Sequence, residues 1–399
     1  MEYNEKRVLF LGAPIFQVPI VQKAKKMGLY VGIVDINSNA PAFPYADERF
    51  VCSIRDKEEV LRIAQGFKPD GIMIGACDTS VVTGAYICNA LNLPGNTLDA
   101  AVNSTDKVKM LEAFQRAGVA HPFYQVVKKK DIDSFSMDLP YPVISKPIDS
   151  AGGRGIQIIH GSDMLKKSTL FSSMAGNSGD ILIEEYMKGT EVSVEVLVVD
   201  GKPHVLQITD KITSGEPYFF EIGHSQPSVL SAEVKEEITD LASRAVLAVG
   251  LKNSAAHVEI MVTEQGPKMV ELGARLGGDC ITTYLIDTSV SGIDMAQATI
   301  EMSLGITPDV NDYKNSGKCA GIRFIPAEEG TLKEIRGLEE AEKTDNLIKI
   351  EITGVIGKKY SKATDDSARF GYVICEGTTT EEALGRCADV IEKIKFVIE

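Results

Sequence analysis

A β-hairpin with a defined register is the feature that most constrains the fold of this chain. Val258, Ile260 and Val262 share one face opposite Glu259 and Met261, and in the next segment Val270 and Leu272 share a face opposite Glu271, a period of two that is typical of β-strands. The segment between them, Glu264-Gln265-Gly266, predicts a three-residue turn with glycine in the left-handed conformation. This turn places Glu259 directly opposite Glu271. A two-residue turn would put the apolar residues of the two strands on opposite faces.

The opposed pair Glu259 and Glu271 predicts a cation-binding site. Two carboxylates directly opposite each other on a sheet repel, since their Cβ atoms lie only about 5 Å apart. Neutralising one of them should therefore relieve repulsion in the metal-free protein. Oxygen-only ligands suit Mg²⁺, with Mn²⁺ as an alternative ion. The competing interpretation is a plain solvated face, but Arg275, two glycines and Asp279 follow closely and favour a site.

A glycine-rich segment indicates an anion-binding loop directly after a predicted strand at 142–145. Lys146 places an ammonium at the end of that strand, and glycines let backbone N–H groups approach an anion closely. The loop residues predicted to contact a nucleotide are Ser150, Gly152, Gly153 and Gly155. The spacing matches neither the P-loop nor the dinucleotide-binding glycine pattern. A simple glycine hairpin turn is the alternative.

A third candidate segment connects two predicted strands at residues 181–191. The connector residues that could present backbone groups and a packing surface to a flat base are Glu184, Glu185, Tyr186 and Met187. Glu191, at the start of the second strand, is the candidate acceptor for ribose hydroxyls. Ser193 and Glu195 alternate with valines after it, and a solvent-facing strand surface is the favoured interpretation of that alternation.

The remaining patterns predict an α/β protein with two or three domains, because 399 residues exceed what one core organises. The first hundred residues alternate strand and helix signals, which is typical of a small open parallel sheet with helices on both faces. The predicted strands and helices are strands at 8–12, 30–34, 71–74, 320–325 and 372–376, and helices at 17–27, 105–118, 232–249 and 381–394.

Charge and cysteine usage narrow the class of protein. The net charge of −14, with a pI near 5.0, disfavours nucleic acid as a partner. No segment approaches the roughly 20 apolar residues of a membrane span, and the N-terminal residues lack a signal-peptide pattern. The seven cysteines never form C-x-x-C, so we expect reduced thiols in a cytoplasmic protein, without a disulfide framework or a zinc site.

Taken in order, these motifs resemble the ATP-grasp superfamily over essentially the whole chain. The resemblance is nearest to the biotin-carboxylase-like branch with the L-amino-acid ligases and other carboxylate–amine ligases. It implies an N-terminal Rossmann-like domain over residues 1–104 and a two-lobed ATP-grasp region over 105–308, with a small lobe at about 120–190. A C-terminal α/β segment over 309–399 would follow.

The resemblance also implies residue roles. Lys107 and Lys146 would contact the ATP phosphates, the connector from Glu184 to Met187 would hold adenine, and Glu191 would bind ribose. Glu259 and Glu271 would hold Mg²⁺, and Arg275 would stabilise the transferred phosphate. The cofactors implied are therefore ATP and Mg²⁺.

One position departs from many members of the superfamily. Gly273 stands where an asparagine often completes the metal shell, and the form Glu-x-x-x-Arg-x-Gly-Gly resembles the amino-acid-ligase branch, which also lacks it. Arg323 resembles an active-site arginine of biotin carboxylases, with a surface residue as the alternative. His224 lies in the stretch 218–227, whose mixed chemistry suits a pocket wall. It is a candidate to orient a carboxylate or accept an amine proton, with a structural histidine as the alternative, and His257 is a similar candidate.

The function expected is ATP-dependent joining of a small carboxylate to an amine through an acyl phosphate, with release of ADP and phosphate. Both substrates would be small molecules, neither nucleic acid nor membrane would be a partner, and a homodimer is left open. A purine-pathway enzyme that activates formate or bicarbonate is one alternative. A nucleotide-binding module without catalysis is the alternative from another class.

Overall fold

The computed structural model of the chain describes residue 3 and residues 5–150, 154–216 and 218–399. These residues form five β-sheets with helices between and around them, so the predicted mixed α/β class is confirmed. No helix in the described part of the chain is long and apolar enough to cross a membrane.

The N-terminal region is a parallel four-stranded sheet in the order β3-β2-β1-β4. Its elements are β1 Arg7–Leu11, α1 Val18–Lys26, β2 Tyr30–Asp35, β3 Glu48–Val51, α2 Lys57–Phe67, β4 Gly71–Ile74, α3 Val81–Leu91, α4 Leu98–Asn103 and α5 Lys107–Ala117. Alternate residues of β1 enter two different hydrophobic cores, one with α1 and one with α2 and α3. A strand buried on both faces explains the continuous apolar run at 8–11.

An antiparallel four-stranded sheet follows, in the order β5-β8-β6-β7. Its elements are β5 Tyr124–Val127, β6 Val143–Pro147, β7 Gln157–Ile159, α6 Ser162–Ala175 and β8 Ile181–Glu185. Buried apolar residues of the sheet, such as Val143 and Ile181, pack with Leu165 of α6. This small sheet carries Lys146 and Glu184 toward the candidate site.

The largest sheet has eight strands and continues into the C-terminal region. Its order is β13-β12-β9-β10-β11-β16-β20-β18. The first group of elements is β9 Gly189–Val199, β10 Lys202–Thr213, β11 Glu221–Gln226, α7 Ala232–Ala248, β12 Ser254–Thr263 and β13 Gly266–Gly273. β16, β18 and β20 lie after residue 308 and pair within this same sheet. The domain boundaries at 104 and 308 therefore remain a prediction.

The remaining elements complete the C-terminal half. They are α8 Ile286–Ser289, β14 Val290–Ser291, α9 Met295–Ser303, β15 Lys314–Asn315, β16 Cys319–Pro326, β17 Gly330–Arg336, α10 Leu338–Ala341, β18 Leu347–Ile352, β19 Lys359–Tyr360, β20 Arg369–Gly377, α11 Thr380–Lys393 and β21 Lys395–Ile398. Short 3₁₀ turns lie at Ile15–Gln17, Phe43–Tyr45, Asp78–Ser80 and Lys129–Ser134, and a π-helical turn lies at Ile281–Leu285.

The hairpin of β12 and β13 confirms the predicted glutamate pair and corrects the predicted turn. Glu259 lies opposite Glu271, but Thr263 pairs with Gly266, so the turn has two residues instead of three. A register shift next to Ile260 lets β13 contribute one extra residue, which is a β-bulge. The bulge restores the agreement of faces that a two-residue turn alone would have broken.

The polar residues of β9 correct a second expectation. Ser193 and Glu195 are fully buried, so they do not form a solvent-facing surface. The valines on the other face of β9 pack into the core beneath α7. The face carrying Glu191 and Glu195 instead supports the charged groups of the candidate site.

Candidate active site

The predicted metal ligands lie side by side, and each already contacts a cation of the protein. Lys107 Nζ lies 2.7 and 2.8 Å from the two oxygens of Glu271. Glu259 lies 3.4 Å from His257 Nε2 and 3.5 Å from Lys211 Nζ. Both carboxylates remain partly exposed, by 26% and 38% of the side chain. Two accessible, directly opposed carboxylates fit the oxygen-only ligand set of Mg²⁺.

The two predicted phosphate-binding lysines, Lys107 and Lys146, each pair with a carboxylate of the protein. Lys146 Nζ contacts Glu184 Oε2 at 2.5 Å, and both side chains are buried. Burial lowers the pKa of Lys107, but Glu271 and then Glu184 more than offset it and raise the pKa above its ordinary value. Both lysines therefore have carboxylate partners within the protein.

The glycine loop is anchored at both ends. The Asp149 carboxylate accepts hydrogen bonds from the backbone N–H groups of residues 177 and 178, at 3.0 and 2.7 Å. Ser172 of α6 donates to the carbonyl of Gly155 at 2.7 Å, and Gly155 has a φ of +83° that favours glycine. Ser150 lies within the described residues. The predicted contacts at Gly152 and Gly153 lie outside them.

The predicted adenine connector joins the small sheet to the central sheet. Lys268 of β13 contacts both oxygens of Glu185, at 2.8 and 3.0 Å, and Tyr186 donates its hydroxyl to Glu216 at 3.1 Å. Met187 lies between β8 and β9 without regular secondary structure. Glu191, the predicted ribose acceptor, lies 2.6 Å from Lys211 Nζ.

Arg275 is held by a residue of the N-terminal region. Its guanidinium donates to both oxygens of Asp78, at 2.8 and 3.0 Å, and to the carbonyl of Leu276 at 3.1 Å. Burial opposes the charge of Arg275, but Asp78 offsets it and raises the pKa of the guanidinium above its ordinary value. A Cβ added at Gly273 would lie 2.5 Å from the Asp78 carboxylate. Gly273 therefore leaves the space that the Asp78–Arg275 pair occupies.

A buried chain of charged residues runs behind Glu259. His257 Nδ1 lies 2.5 Å from Glu195 Oε1, and its Nε2 faces Glu259. Burial lowers the pKa of His257, but Glu195 reverses the effect and the pKa rises to about 9. A Cβ at Gly277 would collide with the Glu195 carboxylate. His257 is therefore an imidazolium that supports Glu259 from behind.

His224 lies in a second charged cluster at the other end of the site. It is fully buried, with Nε2 3.3 Å from Glu221 and 3.7 Å from Asp279. Burial lowers the pKa of His224, but Glu221 and Asp279 raise it above its ordinary value. Neither ring nitrogen has a hydrogen bond of full geometry within the described residues. The ring nitrogens are therefore not engaged by either carboxylate with full hydrogen-bond geometry.

Arg369, which the sequence did not indicate, completes this cluster. Its guanidinium contacts both oxygens of Asp279 at 3.1 Å and the backbone carbonyl of Glu221 at 3.1 Å. It also stacks over the ring of Phe324, 3.6 Å from the centroid. Asp279 and Glu221 are therefore fixed by an arginine from the C-terminal region.

The structure does not bring Arg323 to this cluster. Arg323 pairs with Gly223 and Val373 in the sheet, whereas its neighbour Phe324 shares a face with His224. Successive residues of a strand point to opposite faces, so Arg323 lies on the side of α11. Its Nε is buried without a hydrogen-bond partner among the described residues.

The chain resembles known proteins both in sequence and in fold. A family model described as "ATP-grasp domain" matches residues 139–283, and a model described as "L-amino acid ligase C-terminal domain 2" matches residues 323–399. An alanine–anticapsin ligase of Bacillus subtilis is 28% identical over 269 residues, which cover 61% of this chain and 56% of that protein. The chain thus spans about half the length of this curated relative.

Two solved structures share the fold along the whole chain. An L-amino acid ligase from Bacillus licheniformis superposes with a TM-score of 0.87 at 23% identity, covering 99% of each chain. A phosphoribosylglycinamide synthetase from Anaerococcus prevotii superposes with a TM-score of 0.82 at 24% identity, covering 99% of this chain and 100% of that one. At these identities the likeness concerns the fold alone.

Proposed function

Because this chain belongs to the ATP-grasp superfamily and carries an L-amino acid ligase C-terminal domain, we propose that it is an ATP-dependent carboxylate–amine ligase. It phosphorylates a small carboxylate, an amino acid or a related acid, to an acyl phosphate. An amine then displaces phosphate, and the products are an amide, ADP and phosphate. The observation that carries this proposal is the opposed pair Glu259 and Glu271 with Lys107 and Lys146 beside it.

The nucleotide lies at the junction of the small and central sheets. The connector from Glu184 to Met187 holds adenine, Glu191 accepts ribose hydroxyls, and Lys107, Lys146 and the glycine loop contact the phosphates. Glu259 and Glu271 would hold Mg²⁺, which would supply positive charge to the phosphates. Lys107 and Lys146 exchange their carboxylate partners for phosphate oxygens. Because these ion pairs hold the two ammonium groups in position, the lysines are oriented before the nucleotide binds.

Arg275 acts on the phosphate that is transferred. Its two hydrogen bonds to Asp78 fix the plane of the guanidinium, and a positioned cation stabilises the charge that develops in the transition state. The N-terminal region therefore contributes to the reaction through Asp78, which positions Arg275 without contacting phosphate itself.

The cluster of Glu221, His224 and Asp279 receives the organic substrates. Its two carboxylates suit the ammonium group of an amino acid. Burial lowers the pKa of His224, but Glu221 and Asp279 more than offset this and raise it, which favours donation to a carboxylate or acyl phosphate over acceptance of an amine proton. This chooses between the two roles that the sequence left open for His224. The likeness to an alanine–anticapsin ligase supports an amino acid as one substrate.

A panel of amino-acid pairs tested for ADP release with ATP and Mg²⁺ decides the function. We expect ADP and phosphate in equal amounts with at least one pair, and loss of turnover in Glu271→Gln. Lys23→Met is the control, since Lys23 pairs with Asp294 away from the site. ATP binding without phosphate release for every pair would favour a binding module. Turnover only with formate or bicarbonate and a ribotide would favour the purine-pathway alternative.

We also propose that the protein acts in the cytoplasm. The seven cysteines are free thiols, as expected for a reducing compartment.

A further inference from the structure

Lys211 contacts both ends of the candidate site at once. Only 5% of its side chain is exposed, and its Nζ lies 2.6 Å from Glu191, 2.7 Å from Glu221 and 3.5 Å from Glu259. Among the ion pairs of the described residues, no other lysine contacts three carboxylates. Of the three carboxylates, Glu191 accepts a hydrogen bond from Lys211, whereas Glu221 and Glu259 form ion pairs with it.

The three carboxylates belong to three different parts of the site. Glu191 is on β9 at the ribose position, Glu259 is on β12 at the metal position, and Glu221 is on β11 beside His224. β10, which carries Lys211, lies between β9 and β11 in the central sheet. One buried cation therefore contacts the proposed ribose acceptor, the metal end of the site (Glu259 and Glu271) and its amine end (Glu221, His224 and Asp279).

The three contacts of Lys211 differ in length, and this difference decides which contact breaks when a metal ion binds. The contact with Glu259 is the longest of the three. A divalent cation on Glu259 repels the ammonium and takes the same carboxylate, so this contact is the first to be given up. Lys211 then remains on Glu191 and on Oε1 of Glu221, whose Oε2 faces His224 at 3.3 Å.

We propose that Lys211 is a positioning residue that couples the metal end of the active site to its amine end. Without metal, Lys211 is shared among the three carboxylates; a cation on Glu259 shifts it to Glu221 and Glu191. Conversely, when Glu221 loses its charge, Lys211 pairs more strongly with Glu259. The ammonium then competes with the metal ion for that carboxylate and weakens metal binding. This proposal rests on the proposed roles of Glu259 and Glu221 and adds a communication between them.

Mn²⁺ titration of the full-length protein tests the coupling without any substrate. Glu221→Gln is expected to raise the Kd of Mn²⁺ at the Glu259–Glu271 pair about tenfold, a change of about 1.4 kcal/mol, although Glu221 lies outside that pair, in a separate group of possible ligands with His224 and Asp279. Asp279→Asn is the matched control, because it removes a carboxylate from the same cluster without contacting Lys211. Its direct loss of negative charge is expected to raise the Kd by no more than about threefold.

The second part of the test compares the same two carboxylate variants in a Lys211→Met background. There the metal should bind about tenfold more tightly, and Glu221→Gln should have no larger effect than Asp279→Asn, because residues that share a network are non-additive. Equal effects of Glu221→Gln in the two backgrounds, or of the two carboxylate variants beside native Lys211, would overturn the coupling. If Lys211→Met does not fold, the comparison of Glu221→Gln with Asp279→Asn still decides.

Absence of Mn²⁺ binding, with and without ADP, would overturn the metal assignment as well. Binding that is lost on Glu259→Gln but shows no difference between Glu221→Gln and Asp279→Asn would leave the metal assignment intact and remove only the role of Lys211. Lys23→Met, which removes one lysine charge elsewhere, should leave the Kd of Mn²⁺ unchanged.

Discussion

Gly273→Ala tests whether the Asp78–Arg275 pair explains the missing side chain at position 273. The added Cβ would lie 2.5 Å from the Asp78 carboxylate and 3.1 Å from Arg275 Nε, so the carboxylate must move by roughly 0.5–1 Å. A hydrogen bond between charged groups is worth about 1.5–3 kcal/mol. Because 38% of the Asp78 side chain is exposed, we expect the lower end of that range. Replacing glycine in a strand returns about 0.5 kcal/mol, so the net loss is about 1 kcal/mol.

Gly278→Ala is the matched control, since its added Cβ would meet only Ala76, at 3.9 Å. It should gain about 0.5 kcal/mol, which makes the two variants differ by about 1.5 kcal/mol in the free energy of unfolding. For a chain of 399 residues the unfolding entropy is about 0.8 kcal/mol/K, so differential scanning calorimetry should place the Tm of Gly273→Ala about 2 °C below that of Gly278→Ala. In an Asp78→Ala background the difference should disappear. Equal Tm values for the two single variants would refute the steric explanation.

Three further predictions follow from the site. Glu271→Gln should abolish metal-dependent turnover and, in metal-free buffer, lower the free energy of unfolding by about 1 kcal/mol, because Lys107 loses a charged partner; an unchanged Tm in EDTA would contradict this. Hydrogen exchange in peptides covering residues 148–157 should slow on adding an ATP analogue with Mg²⁺, since the phosphates occupy backbone N–H groups; unchanged exchange removes the loop from the phosphate site. His224, with its raised pKa, stabilises the fold fully below about pH 6.5 and progressively less as the pH rises through its folded-state pKa. The Tm of the native protein should therefore fall above pH 6.5 more steeply than that of His224→Gln, and parallel curves would refute the charged state.

Short-range patterns predicted most of the elements that carry the site. The alternation at 258–262 and 270–272 located β12 and β13, and the opposed pair Glu259 and Glu271 was correct even though the turn was not. The β-bulge places Glu259 opposite Glu271 in spite of the two-residue turn. It depends on how β13 pairs with β12, and the alternation of residues along one strand does not reveal an extra residue. β3 was not predicted, because it is a short edge strand on which every second residue is exposed.

Local sequence patterns did not predict the distant residues that form ion pairs with the charged groups of the site. Asp78 and Arg275 are separated by 197 positions, and Arg369 and Asp279 by 90. Lys211 lies in a strand whose sequence does not reveal that three other strands direct carboxylates toward it. One signal was available for Asp78: it follows β4 at the carboxyl end of a parallel sheet, where ligand sites of open α/β sheets occur.

The structure also changes the sign of one expectation. The sequence suggested that neutralising one glutamate of the opposed pair would relieve repulsion and preserve or raise stability. Lys107 and Lys211 already neutralise that repulsion from elsewhere in the chain. Removing a glutamate therefore removes a stabilising partner, which is why Glu271→Gln is now expected to destabilise the metal-free protein.

The most direct test of acyl-phosphate chemistry is to identify the nucleotide product and to trap the intermediate. With an active carboxylate, ATP and Mg²⁺, hydroxylamine should intercept the acyl phosphate as a hydroxamate, and ADP with phosphate should accumulate. Arg275→Ala should suppress hydroxamate formation more than nucleotide binding, because its charge acts mainly in the transition state. Release of AMP and pyrophosphate instead of ADP and phosphate would show adenylation and would contradict the mechanism.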